Sequence, residues 1–219
     1  FRRVLFRSDV TRESRVWWVV RRAKPTLVIN AAAYTAVDAA EDDAERCYAV
    51  NTDGVGHLAK VCKRLGLPVL HLSTDYVFDG KKPKPYVETD NPAPLGVYGQ
   101  SKWQGEQLLA NTLEQHLILR VSWVFSQRRQ NFVKTMLRLC QEREQLKIVE
   151  DQIGCPTPAS DIARVLIAIA QQVDCGANQW GVFHYCAKGT TNWHEYAQQI
   201  IDLARDYVHV ATHRIDPVT

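Results

Sequence analysis

Glycine is scarce where the chain begins: the first of the 11 glycines among 219 residues is Gly54, and no G-x-x-G-x-x-G turn follows an apolar run. That leaves residues 1–53 without the backbone turn that lets a phosphate approach a helix N-terminus. The six cysteines (Cys47, Cys62, Cys140, Cys155, Cys175, Cys186) show no C-x-x-C pair and no Cys/His cluster at ligand spacing. No metal site is therefore expected, and they read as reduced core thiols of a cytoplasmic protein. Long apolar runs are missing too. The longest near the start, "VWWVV", is flanked by arginine and is far too short for a membrane span or a signal peptide. Charge of one sign is also lacking: 27 basic and 24 acidic residues give a net +3, with much of the excess at Arg2, Arg3, Arg7, Arg12, Arg15, Arg21 and Arg22. No basic stripe interleaved with aromatics runs through the body, so no nucleic acid partner is expected, whereas an anionic small molecule is compatible. Neither an internal repeat nor a low-complexity tract occurs.

What is present is a core-forming chain, 46% hydrophobic, with alternating periodicities. "RESRVWWVVRRAKP" is helix-compatible. "TLVINAAAYT" (26–35) reads as a buried strand opening into a small-residue loop. Residues 40–65 carry a helical period stopped by "GLP", and "PVLHLST" is a second buried strand. After the polar, proline-rich "KKPKPYVETDNPAPLG", a helix is expected over 98–112, followed by the strand "LILRVSW". Strand, helix, strand, helix, strand predicts an α/β fold, a Rossmann-like doubly wound parallel sheet. From Asn131 the pattern loosens: helices over 131–141, 159–172 and 193–206, short strands "KIV" and "GVFHY", and the turn "EDQIGCPTP". The expectation is a dinucleotide-binding domain over 1–130 and a smaller α+β substrate lobe over 131–219, interleaved with the sheet.

Ligands of open α/β sheets sit outside the carboxyl ends of the strands, where "AAAYT", "STDY" and "SWV" fall. Ser73, Thr74 and Asp75 can orient a carbonyl there, or simply make a turn and cap it. In "YGQSK", Tyr98 and Lys102 stand four residues apart, one above the other on a helix. A phenol titrates near ~10, and an adjacent cation is expected to pull it down by roughly 1–3 units, giving an acid usable near neutral pH. Trp123 has two readings, core packing and ligand contact.

The segments "VINAAAYTAVDAAE", "YAVNTDGVGHLAKVC", "LHLSTDYVFDG", "PYVETDNPAPLGVYGQSKWQGEQ", "LILRVSWVF", "NFVKTMLRLC" and "DQIGCPT" resemble, in order and spacing, the extended short-chain dehydrogenase/reductases that act on nucleotide sugars. Within them the likeness is to the branch that completes dTDP-L-rhamnose. It covers Asp9 to about Tyr196. The resemblance implies reduction of the C4 ketone of dTDP-4-dehydro-6-deoxy-L-mannose by NADPH or NADH. Tyr98 would be the proton donor, Lys102 the residue holding the nicotinamide ribose, and Thr74 the residue binding the reacting carbonyl. Asp75 and Trp123 would lie at the sugar. Ala33, Tyr34 and Thr35 would lie against the cofactor, Asp9 and Val10 would border the adenine, and Asn51 would be a structural residue near the cofactor. A dTDP-sugar substrate, no membrane and a homodimer are the implied partners.

Three departures accompany this likeness. The glycine-rich turn is absent, "FRRVLFRS" resembles nothing in the family, and "FSQRRQNF" replaces the usual Tyr-Gly turn after Trp123. The expectation is a chain shortened at both ends, lacking the first βαβ unit, with an exposed sheet edge and poor solubility. Two alternatives stand beside the reductase. A non-catalytic regulatory subunit on the same fold would show a stoichiometric enzyme partner and no turnover. A nucleotide-sugar epimerase or dehydratase would be told apart by its product, and "STDYVF" in place of "SSxxVY" disfavours it.

Overall fold

The computed structural model describes residues 8–219, so the leader "FRRVLFR" lies outside the described residues. In chain order the elements are α1 (Glu13–Ala23), β1 (Val28–Asn30), α2 (Ala44–Tyr48), α3 (Gly54–Leu65), β2 (Val69–Thr74), α4 (Val97–Thr112), β3 (His116–Val121), β4 (Val124–Phe125), α5 (Phe132–Glu142), β5 (Gln145–Val149), β6 (Ile153–Gly154), β7 (Thr157–Pro158), α6 (Ala159–Asp174), β8 (Gly181–Tyr185), β9 (Thr191–Asn192), α7 (Trp193–Ala204) and β10 (Arg214–Val218). Among the described residues no helix is long and apolar enough to cross a membrane.

Two compact units form: Phe1–Val121 with Val165–His184, and Ser122–Arg164 with Tyr185–Thr219. The first holds a four-stranded sheet in the order β1-β2-β3-β8. β1 pairs with β2 in parallel, Val28 opposite Val69, and β2 pairs with β3 in parallel, Val69 opposite His116. Parallel strands covered by helices bury both faces; β2 accordingly has five buried residues of six. Val16 and Val20 of α1, Val55, Leu58, Val61 and Cys62 of α3, Leu109 of α4 and Val69 and Ile118 of the sheet form one core. Burying each such aliphatic side chain contributes about 1.5–3 kcal/mol. α3 ends at Gly66, whose φ of +65° supplies the left-handed cap that closes the helix.

The second unit is built from three two-stranded pairings, β10 with β5, β4 with β7 and β6 with β9. Its core joins α5, β5 and α7 through Met136, Cys140, Leu146, Ala197, Ile200 and Ile201.

The elements differ from the sequence expectation at three places that all border the strand ends. The strand expected within 26–35 is short, Val28–Asn30, and Ile29 is 37% exposed rather than buried; the small-residue loop opens at Asn30, whose carboxamide oxygen accepts from Ala32 N at 3.1 Å and turns the chain. The long helix expected over 40–65 is broken into a 3-10 turn at Asp38–Ala40, α2, a π-helical turn at Ala49–Asp53, and α3. The third strand ends at Val121 rather than Trp123, whose φ of +45° takes it out of the extended region.

Candidate active site

The site in the first unit is assembled on β2 and α4. Glycine lets them approach: a Cβ on Gly99 would collide with the Tyr76 carbonyl oxygen, and one on Gly105 with the Asn51 carbonyl oxygen. α4 therefore lies hard against the turn after β2 on one side and the π-helical turn on the other. That turn is where Asn51 does its positioning. Its Oδ1 accepts from Tyr34 N at 2.9 Å, and its Nδ2 donates to Tyr34 O at 3.1 Å and to Ser101 Oγ at 3.0 Å. Ser101 in turn donates to Tyr98 O at 2.8 Å. One buried carboxamide thus fixes both the Ala33–Tyr34–Thr35 loop and the first turn of α4, and inserted π turns are frequent at functional sites.

At the end of β2, Thr74 caps a 3-10 turn, Asp75–Val77: its Oγ1 accepts from Tyr76 N at 3.2 Å and donates to Asp75 Oδ1 at 3.1 Å. The Thr74 hydroxyl lies beside Tyr98 and favours its ionised form. The hydroxyl caps the turn through a lone pair, and its one proton, here on Asp75, is the one a carbonyl oxygen would receive. The capping role and the role at a carbonyl are therefore compatible in one side chain. The Tyr98 ring packs with Ala40 and Cys47, beside Tyr34, Val37 and Val97, and meets Tyr76 edge-on at 5.6 Å.

Lys102 is 2% exposed and donates from Nζ to Leu72 O at 2.7 Å. One turn further along α4, Glu106 receives Arg120 of β3: Nε lies 3.1 and 3.2 Å from its two oxygens and Nη2 lies 2.7 Å from Oε2. Arg120 also sits over the Phe78 ring at 5.1 Å and approaches His184 Nε2 at 3.4 Å. A polar stripe of Tyr98, Lys102 and Glu106, each four residues on from the last, thus runs along the buried face of α4. The spacing of "YGQSKWQGE" carries that signal, and Glu106 went unread in it.

Electrostatics correct one expectation. Tyr98 is not drawn toward neutrality by Lys102. Burial pushes its hydroxyl up to about 12, with the Thr74 hydrogen bond opposing and the nearby Asp75 reinforcing. Burial likewise pulls Lys102 down to about 8 while Glu106 pushes back, and it lifts Asp75 to about 6 against its hydrogen bonds to Thr74 and the backbone. The reason is desolvation: both members of the pair are inside, so the charged form of each is disfavoured.

The remaining residues lie apart. Asp9 accepts from Thr11 N and Oγ1 at 3.1 and 2.6 Å, ahead of α1. Val10 packs on α3, where a Cβ on Gly54 would stand 2.8 Å from its Cγ2. Trp123, in the second unit, stacks on Trp193 with centroids 3.5 Å apart and planes at 9°. Gly154 lies against the same indole, and an added Cβ there would strike Trp123 before any atom of Trp193. Trp193 and Gly154 went unread because no local pattern links 123, 154 and 193. Among the described residues no group of three or more His, Cys, Asp or Glu could hold a metal.

A parallel sheet with a hydroxyl, a phenol and an ammonium gathered at the end of a central strand defines a Rossmann-like protein of the short-chain dehydrogenase/reductase kind. The RmlD substrate binding domain family matches residues 3–219, reaching further at both ends than the motifs traced from Asp9 to Tyr196. The dTDP-4-dehydrorhamnose reductase of Sinorhizobium fredii is 45% identical over 197 residues, covering 89% of this chain and 67% of the relative. That of Aggregatibacter actinomycetemcomitans is 46% identical over 197 residues, covering 90% and 67%. The crystal structure of dTDP-4-dehydrorhamnose reductase from Bacillus anthracis in complex with NADP superposes with a TM-score of 0.88 at 35% identity, over 97% of this chain and 72% of that one. The chain belongs to the dTDP-4-dehydrorhamnose reductase family. It spans about two thirds of the length of these curated relatives.

Proposed function

We propose that Thr74, Tyr98 and Lys102 catalyse the NAD(P)H-dependent reduction of the C4 ketone of dTDP-4-dehydro-6-deoxy-L-mannose to dTDP-L-rhamnose. The observation that carries the reading is the placing of Tyr98 and Lys102 one turn apart on the buried face of α4, against the Thr74–Tyr76 turn at the carboxyl end of β2, where the Tyr98 ring meets Tyr76 edge-on. Bound NADPH or NADH would supply the hydride. As C4 receives it, the carbonyl π pair moves onto oxygen, and Tyr98 transfers its hydroxyl proton there, leaving a phenolate that solvent reprotonates. Thr74 holds the oxygen in line, turning its hydroxyl from Asp75 to the substrate. Asp75, beside it, faces the sugar.

The residues at the ribose end fit such a cofactor. Lys102 spends one of three N–H groups on Leu72 O, which leaves donors for ribose hydroxyls. The Ala33–Tyr34–Thr35 loop, clamped by Asn51, lies beside the ring, and Asp9 with Val10 would border the adenine. Because the sequence carries no glycine-rich turn, the pyrophosphate is assigned to no residue of this chain. The first unit serves as the dinucleotide-binding domain and the second as the substrate lobe, with Trp123 assigned to the deoxysugar. A cytoplasmic homodimer belongs to the same reading, and sedimentation velocity tests the dimer.

The test of the chemistry is Tyr98→Phe. Turnover of the dTDP-sugar with NADPH is expected to fall by about 100- to 10,000-fold, while NADPH titration by fluorescence stays near wild type. Equal turnover by the variant would remove Tyr98 as the acid, and a product other than dTDP-L-rhamnose would favour an epimerase or dehydratase.

A further inference from the structure

Two buried polar atoms inside the first unit have no partner among the described residues, His71 Nε2 and Ser73 Oγ. His71 is wholly buried and Ser73 is 4% exposed. Two residues apart on β2, they project to the same face. The register sets Asn30 opposite His71 and Arg120 opposite Ser73 on that face. α4 covers it, since Glu106 reaches Arg120 and Lys102 is anchored on the carbonyl of Leu72, the residue between the two.

The imidazole proton can be located. Asn30 Oδ1 accepts from Ala32 N, which turns Nδ2 toward His71 Nδ1 at 3.0 Å. An amide nitrogen only donates, so Nδ1 accepts and the proton sits on Nε2. Burial, and then the charge of Lys102, hold the ring well below the usual histidine range and therefore neutral. Side chains two residues apart on one strand face stand about 6.6 Å apart. Longer side chains reaching toward one another from that spacing leave a gap of the kind one water fills, and buried polar groups are rarely left unpaired.

We propose that a buried water bridges His71 and Ser73 beneath α4, accepting from His71 Nε2–H and from the Lys102 ammonium and donating to Ser73 Oγ, so that both are positioning residues for Lys102. Three partners is the usual complement of an interior water. The layer is a support and not a proton path, because it ends at a wholly buried, neutral imidazole. The titratable groups that act with Lys102 are Glu106 on its own helix, Cys47 on α2 and His71 on β2. Against that set the water adds a second acceptor to Leu72 O. This concerns the interior of the chain and stands whether or not the substrate reading does.

The test uses the isotopically labelled full chain without substrate. The His71 Hε2 proton is expected to exchange slowly and to show a rotating-frame Overhauser peak to water. Followed through its Cε shift, the Lys102 titration midpoint is expected to fall by about one pH unit in Ser73→Ala and in His71→Leu, the size of one hydrogen bond lost by a charged donor. His71→Gln, which restores a donor at that place, brings it back. A merely structural role would lower the melting temperature and leave the midpoint in place. An unmoved midpoint in both folded variants overturns the proposal, and so does a missing water peak at His71 in the wild type, which decides the matter even where a variant fails to fold.

Discussion

The ammonium of Lys102 donates to the carbonyl oxygen of Leu72 at 2.7 Å. The side chain that the sequence pairs with Tyr98 therefore also ties α4 to the last residues of β2. Burial holds Lys102 at about 8, below its ordinary value of 10.5. A lysine depressed on folding contributes stability above its unfolded pKa and loses it as pH falls through the folded one. Below pH ~8 the buried charge therefore weighs on the fold. Lys102→Met is expected to raise the melting temperature at pH 7, with the gain closing as pH approaches ~10.5. Scanning calorimetry across pH 6–10 checks it, and an unchanged or lower melting temperature at pH 7 would contradict it.

Asp75 works in the opposite window. Its folded pKa of about 6 lies above the ordinary 3.8, so the stability it lends is complete below pH ~4 and is lost as pH rises through 6. Asp75→Asn keeps an acceptor for Thr74 and removes the charge. The variant should melt above wild type at pH 8 and level with it at pH 4. A constant offset across that range would show that burial of the carboxylate is not the cause.

Glu106 and Arg120 form an ion pair with side chains 3% and 6% exposed. Removing one partner strands the other charge. Glu106→Leu alone is expected to cost about 3–5 kcal/mol in urea unfolding. The double change with Arg120→Leu should cost less than either single change. Additive losses in the double-variant cycle would show that the two charges are not coupled.

Gly105 faces the Asn51 carbonyl oxygen so closely that a methyl group cannot be placed there without movement of α4 or the π turn. Gly105→Ala is expected to destabilise by about 1–3 kcal/mol, the range for overpacking. Gly66→Ala, where nothing lies within 4 Å but φ is +65°, should cost about 1 kcal/mol from the backbone alone. If Gly105→Ala proves as mild as Gly66→Ala in chemical denaturation, the tight contact is not a constraint.

Much of this protein is local. "PVLHLST" and "LILRVSW" announce buried parallel strands because both sheet faces are covered and apolar residues run without alternation. The spacing of Tyr98 and Lys102 places them on one helical face whatever that helix packs on. The family match spans all of these segments. The order of motifs along the chain thus determines the fold class and the family.

What tertiary structure decided is charge, breaks and distant partners. The break of the 40–65 helix follows from Asn51 bonding to Tyr34 and Ser101, 17 and 50 residues away. The stacking of Trp123 depends on Trp193, and the tautomer of His71 on Asn30, 41 residues earlier. The protonation of Tyr98 and Lys102 depends on how much water each has lost, and desolvation is set by everything packed around a group. Spacing along a helix can bring a phenol and an ammonium together, but only the surrounding fold decides that both are buried and that each is pushed toward its neutral form.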